Sequence, residues 1–173
     1  GILLDGDALV VDTRLEGNEA SEGGGLYVDH AAVSLAGVTA PGNFATRGGG
    51  AAADLDPGQV LDLRPSIVDL ALTSFTDCTA DDGAALAVTG GSLTTVLTTV
   101  EGAVAERGAL ALVDVVWTDS GSELVDVEAT EGAVAWLQGG QASMVSGVVT
   151  GASASTGAYH LEGGASLSLQ NMD

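Results

Sequence analysis

The sequence predicts an all-β chain wound as a parallel β-helix, a β-solenoid of about 6–7 coils of roughly 25 residues each. Three observations carry that expectation. First, an Ala-x-x-Gly anchor recurs at Ala20/Gly23, Ala45/Gly48, Ala80/Gly83, Ala105/Gly108, Ala129/Gly132 and Ala154/Gly157, with Gly-to-Gly steps of 25, 35, 25, 24 and 25 residues; a fixed period of this length is the mark of stacked repeats. Second, every unit is dense in Val and Thr and carries internal Gly, which disfavours helix and suits short strands. Third, the chain is 46% hydrophobic but only 3% aromatic. Its core must therefore come from close layers of Ala, Val and Leu rather than from rings.

The elements follow in order. Residues 5–20 ("DGDALVVDTRLEGNEA") align with the second half of a later unit, 90–105 ("GGSLTTVLTTVEGAVA"). After each anchor Gly a short strand is expected: "GLYVD", "AALAVT", "ALALVD" and "AVAWLQ". A second follows in most units: "AVSLAG", "SLTTVLTTV", "ELVDV", "SMVSGVV" and "SLSLQ". Gly90-Gly91, Gly139-Gly140, Gly163-Gly164 and Pro57-Gly58 supply turns between them. Two or three strands per unit make one coil, and each strand then pairs with its copy about 4.8 Å away in the next, giving a rod roughly 30 Å long. A β-sandwich also has strands every 8–12 residues, but it would not hold one anchor in register through six units. The six anchor glycines are expected to be structurally equivalent and to form one straight file. The long step implies an insertion of about ten residues, expected within 61–72 ("LDLRPSIVDLAL"), where Pro65 marks a protruding loop. Residues 1–173 thus read as a single segment entered and left in mid-repeat, with more chain or another subunit expected at each end to cover the strand edges.

Charge excludes some partners. The formal net charge is −20, from 24 acidic residues against 4 basic ones, all Arg. Phosphate would be repelled, so neither nucleic acid nor an anionic membrane surface is expected. No apolar run reaches the roughly 20 residues of a membrane helix, and Cys78, alone, gives no internal disulfide.

Strand alternation assigns faces. Six residues after each anchor Gly stand Asp29, Asp54, Thr89, Asp114, Gln138 and Gly163, a mostly polar and therefore outward position. Four residues after stand Tyr27, Ala52, Ala87, Leu112, Trp136 and Leu161, outward by the same parity; Val28, Ala53, Val88, Val113, Leu137 and Glu162 fall between them and face in. The outer side of this sheet is then apolar, which marks a contact surface. Tyr27, Leu112, Trp136, Tyr159 and Leu161 are its candidate residues. A kinked strand that turned Tyr27 and Trp136 into the core is the competing reading.

"NEASEGGGLYV" (18–28) and "NFATRGGGAAA" (43–53) carry Asn-x-Ala-x-x-Gly-Gly. This resembles the GGA-box repeat of polymorphic outer membrane proteins, and more broadly the right-handed parallel β-helix repeats of secreted bacterial surface proteins. The Gly-[Gly/Ala] half is kept in all six copies. The Phe-x-x-Asn half is not: "FTDC" (75–78) puts Cys78 where Asn would stand, and later copies offer Ala103 and Ala152. The resemblance implies a right-handed helix and a place outside the cell or on its outer surface.

Reactive chemistry finds little support. Asp29 and Asp54 sit one coil apart, with Asp56 nearby, and are the candidates for Ca²⁺, yet their spacing matches no Ca²⁺ loop and solvated turns explain them. Polysaccharide cleavage needs paired carboxylates on a groove. Here Arg47 and Arg107 occupy equivalent positions with Asp82 between them, which reads as ion pairing along a turn edge. His30 and His160 belong to distant coils, His160 on the inward set, and neither stands near Cys78. No cofactor is expected. The function these observations favour is a non-enzymatic extracellular or cell-surface module: a stalk, adhesin segment or assembly component that contacts other protein chains or further domains. The alternative is a carbohydrate-binding or polysaccharide-degrading β-helix, with Tyr27, Trp136 and Tyr159 as stacking platforms for glycans.

Overall fold

The computed structural model describes residues 2–4, 6–29, 31–54 and 67–173. Among them there is no helix, and hence none long and apolar enough to cross a membrane. The strands form four parallel sheets, and every strand but the two at the ends of each sheet lies between its equivalents in the preceding and following coils. The result is a β-solenoid of about six turns.

One coil shows the pattern. Leu86–Thr89 belongs to the first sheet, Ser92–Val96 to the second, Thr99–Glu101 to the third and Val104–Arg107 to the fourth. Each complete coil therefore has four short strands rather than two or three. The extra strands are separated by corners of a single left-handed residue, too brief to register as turns in a sequence. After the second sheet these corners are Asp12, Gly37, Leu72, Leu97, Gly121, Ser146 and Asn171, and after the third they include Asp77, Gly102, Asp126 and Gly151, all at positive φ. Asp and Asn accept that conformation more readily than most residues. Where an Asp takes a corner, Gly holds the same corner one coil later. Asp12 meets Gly37, Asp77 meets Gly102, Asp114 meets Gly139 and Asp126 meets Gly151, and a Cβ on any of these four glycines would overlap the Asp Oδ1. The pairing keeps carboxylates from stacking directly on one another.

The anchor glycines hold the corner between the fourth and first sheets. Gly23, Gly48, Gly83 and Gly108 donate in turn to the carbonyls of Arg47, Asp82, Arg107 and Glu131, each in the next coil. Gly108 has φ 58°, and a Cβ there would lie 2.7 Å from the Trp136 nitrogen and overlap the Leu110 carbonyl. Only Gly fits so close to two backbones.

The last two anchors depart from full equivalence. Gly132 keeps the left-handed backbone, with φ 55°, and the same crowding: its Cβ would lie 2.8 Å from the His160 nitrogen and overlap the Ala135 carbonyl. Its amide, however, donates to the Thr156 hydroxyl at 3.2 Å, where the earlier anchors use a backbone carbonyl. The strand above it explains the change. Ser153–Ala154 has only two residues and pairs with Glu128 and Ala129 alone, so the ladder has ended before it reaches Thr156. Gly157 is no longer an anchor of the same kind, with φ 117° and room for a Cβ that would meet nothing within 4 Å. The crowding thus holds through Gly132 and lapses at Gly157, where the positive φ alone still favours Gly.

Inside, apolar side chains stack in files that run through successive coils. Val28, Val88, Leu112 and Leu137 form one, and Val33, Val68, Leu93, Trp117 and Ala142 another, all buried. Ala142 beside Trp117 leaves room for the indole. Asn43 is buried in this core and satisfied: its Nδ2 donates to the Leu15 carbonyl at 2.7 Å, and its Oδ1 accepts from the Asn18 Nδ2 at 3.0 Å. One coil on, Cys78 takes over the same task, its thiol donating to Ala40, the carbonyl equivalent to Leu15, at 3.0 Å. The Asn ladder is thus two rungs long and continues as a thiol.

The surplus residues of the 35-residue step precede Ile67, because Ile67–Ala71 is a regular strand paired on both sides, with Ala32–Ala36 and with Ser92–Val96. Residues 61–66 of the expected insertion, with Pro65 and Pro57-Gly58, lie outside the described residues.

Candidate functional site

The first sheet alternates as strands must, and its outer side carries a small apolar cluster separate from the main core. Ala87, Ala111 and Trp136 are its buried members, with Tyr27 and Val113 packed against them. Register explains the membership. Ala87 pairs with Ala111, Ala111 with Trp136, and Trp136 with His160. Two alanines in file below the indole give it the space a larger neighbour would deny.

The fourth sheet borders this cluster with a file of alternating charge. Glu22, Arg47, Asp82, Arg107 and Glu131 stand in successive coils. Arg107 grips Asp82 with two contacts, Nη2 to Oδ2 at 2.8 Å and Nε to Oδ1 at 2.5 Å. Its guanidinium also lies 4.9 Å from the Trp136 ring centroid, within cation–π reach. Arg47 approaches Glu22 at 3.8 Å and donates to the Thr89 hydroxyl. Arg14 pairs instead with Glu16 at 2.7 Å on an exposed edge, and Arg64 lies outside the described residues. Trp136 is only 5% exposed, and its Nε1 has no hydrogen-bond partner.

Two of the five expected contact residues, Tyr27 and Trp136, share the outer side. The other three do not, and a missing residue is the reason. The unit after Gly108 is one residue shorter between the anchor and the strand: Ala85 and Leu86 both donate to the Ala109 carbonyl. The unit after Gly157 has the same contraction, with Val134 and Ala135 both donating to Ala158. Each contraction flips the parity that counting from the Gly assigns. Leu112 therefore pairs with Leu137 and is buried in the core, and Leu161 continues that file in register but is 41% exposed at its end. Tyr159 pairs with Ala135 and packs on the core, its hydroxyl donating to Met144 Sδ at 3.4 Å. Burial, with the charge of Asp119 adding to it, pushes the Tyr159 phenol up to about 12. The same shift moves Val113 and Glu162 to the outer side and His160 out of the inward set. His160 lies beside Trp136 in register, with its Nε2 3.9 Å from Glu162.

Of the Ca²⁺ candidates, Asp29 and Asp54 pair in register at the ends of neighbouring strands, but their side chains are not described, and Asp56 and His30 lie outside the described residues altogether. Among the described residues, no three His, Cys, Asp or Glu side chains gather as metal ligands would. Cys78 is buried and its thiol is pushed up by desolvation, so at neutral pH it is an inert core group.

Fold and site together define the class of protein: a parallel β-solenoid with a small aromatic cluster on one outer sheet, edged by a charged file. Comparison with protein-family models, with curated proteins and with solved structures finds no match.

Proposed function

We propose that this chain is a non-enzymatic extracellular or cell-surface module, a stalk, adhesin segment or assembly component, whose contacts form on the outer side of the first sheet. The observation that carries the reading is the Tyr27–Ala87–Ala111–Trp136 cluster outside the main core. Ala87, Ala111 and Trp136 are at most 5% exposed, so this is a covered apolar face outside the core, the kind of face on which a solenoid packs further chain or a neighbour. Among the described residues, two groups with chemical reactivity have internal duties: Arg107 holds Asp82 and covers Trp136, and Cys78 holds Ala40. The placement outside the cell rests on the resemblance to polymorphic outer membrane protein repeats, supported by the Asn18–Asn43 pair and the Gly-Gly that follows it.

One observation favours the alternative, a glycan-binding β-helix. The buried Trp136 Nε1 lacks an acceptor and stands beside a guanidinium, a pair of groups that would hold a sugar once Arg107 swings off the ring. A glycan array with a hydrolysis assay, run on the native protein and on Trp136→Ala, separates the two. Binding or cleavage lost in Trp136→Ala establishes the glycan reading; neither activity leaves the contact module. Sizing at high concentration tests the assembly role, which a persistent monomer refutes.

A further inference from the structure

The outer face of the second sheet differs in charge from the other outer faces. Its strands stack in the order Ala8–Val11, Ala32–Ala36, Ile67–Ala71, Ser92–Val96, Val116–Ser120, Gln141–Val145 and Ser166–Gln170. Alternation turns every second side chain outward, and among the described residues of this face only Asp69 is charged. The third and fourth sheets, by contrast, turn out Glu101, Glu123, Asp81, Glu106 and Glu128. A chain of net charge −20 thus keeps one broad face almost neutral.

That face also has relief. At its first strand it protrudes, with Leu9 69% exposed and Val11 48% exposed. Across its last three strands it is hollow, a trough of about 390 Å³ walled by Val116, Thr118, Gln141, Ser143, Ser166 and Ser168. Its rim carries two exposed leucines, Leu72 and Leu97, both left-handed at φ 50° and 49°. Leucine is strained in that conformation, and the equivalent corners use Asp, Gly, Ser or Asn, so the fold asks for leucine at neither.

We propose that this face is a self-docking surface, on which a second copy of the chain lies antiparallel, with the two-fold axis crossing both rods at Ser92–Val96. A ridge at one end and a hollow at the other is the relief that such an axis makes self-complementary. The first strand of each copy then lies over the last strands of its mate, and Leu9 enters the trough. Asp69 comes opposite the Thr118 hydroxyl, which donates to it, and Leu97 lies beside its own counterpart. A two-fold axis along the rod would instead set carboxylate on carboxylate at Asp69 and ridge on ridge at Leu9. Six spacings of about 4.8 Å by four of about 3.3 Å give a footprint on the order of 400 Å² per copy. Side-chain relief and the rim raise the total buried area to about 1,000 Å², the lower limit for a specific interface, so the pair is weak and reversible. The inference is independent of the Trp136 cluster, which belongs to another sheet.

Sedimentation velocity across a wide concentration range should show a monomer–dimer equilibrium. Added salt should strengthen it, because screening relieves the repulsion between two copies of charge −20. Leu9→Ser should weaken it at least about tenfold, since each copy then buries one leucine less; Ser34 already holds the same column one coil on, so the fold accepts the change. Ser143→Gln should weaken it too, by filling the trough without adding charge. So should Leu97→Asp, for which Gly121 leaves room in the next coil as Gly37 does for Asp12. A monomer under every condition overturns the inference. A dimer indifferent to the folded variants overturns it as well, including one lost only in Trp136→Ala, which assigns self-association to the first sheet. Growth beyond the dimer has the same force, because a two-fold contact closes on itself. Circular dichroism checks each fold, and should Leu9→Ser not fold, the two other variants decide.

Discussion

Replacing Gly108 by Ala tests whether the coils lie as close at the anchor corner as the geometry requires. The residue sits at φ 58°, and a left-handed Ala costs about 1–2 kcal/mol. The added Cβ would also stand 2.7 Å from the Trp136 nitrogen and overlap the Leu110 carbonyl, both backbone atoms of the stacked ladder. Forcing them apart adds about 1–3 kcal/mol, the usual cost of overpacking. Gly42 provides the control: its φ is 61°, and its added Cβ would meet nothing within 4 Å. Gly42→Ala should therefore lose only the conformational part, about 1–2 kcal/mol. Urea titration followed by circular dichroism measures both variants, and a chain of this size loses about 2–4 °C of Tm per kcal/mol. Equal losses for the two variants would refute the argument, because the anchor would then need Gly for its dihedral angles alone.

Other consequences are open to measurement. Trp117→Phe keeps most of the ring but removes the donor to Thr95, and should cost about 1 kcal/mol or somewhat more in urea unfolding, against about 3–5 kcal/mol for Trp117→Ala. Asp82→Asn weakens the grip on a half-exposed Arg107; the loss should stay below about 1 kcal/mol and shrink as salt is added. Tyr159 keeps its proton up to about 12 when folded but loses it near 10 when unfolded, so the folded state binds more protons in between. Stability should then fall as pH rises from about 10 to about 12, and Tyr159→Phe should flatten that decline in a pH series of melting curves. Cys78 should resist a thiol-specific reagent in the native protein and react at once in denaturant, since both its burial and its raised pKa work against the thiolate; fast native labelling would contradict its place in the core.

The period and the anchor were legible because a left-handed corner packed against backbone admits only Gly, and that requirement prints itself every 24 or 25 residues. The change of partner at Gly132 and the looser corner at Gly157 were not legible, because the letters stay the same while the ladder above them runs out. Parity within a unit was legible where units have equal length, which is why Tyr27 and Trp136 came out on the same side. It failed for Leu112, Tyr159 and Leu161 because one residue fewer after Gly108 and Gly157 moves every later side chain to the opposite face, and nothing in a short run of Ala and Leu announces the loss. Aligning the polar residues Thr89 and Gln138 with Val113, rather than with Asp114, would have exposed it. The four-strand coil was hidden because each corner is a single left-handed residue whose identity changes from coil to coil, Leu97, Gly121 and Ser146 after the second sheet, so no one letter recurs to mark it. Asp119 was missed for a related reason: "TDSGS" reads as a surface turn, and only the strand Val116–Ser120 turns that carboxylate inward.

The charged file on the fourth sheet works as a parity check on stacking. Each member meets the opposite sign in the adjacent coil. If a folding chain skipped a coil and paired each strand with the next but one, Glu22 would land on Asp82, Arg47 on Arg107 and Asp82 on Glu131. Near-identical repeats invite that error, since their backbones fit equally well either way. Like charge on like charge makes the shortened stack repel itself along one edge, so the alternation helps the chain count its own coils.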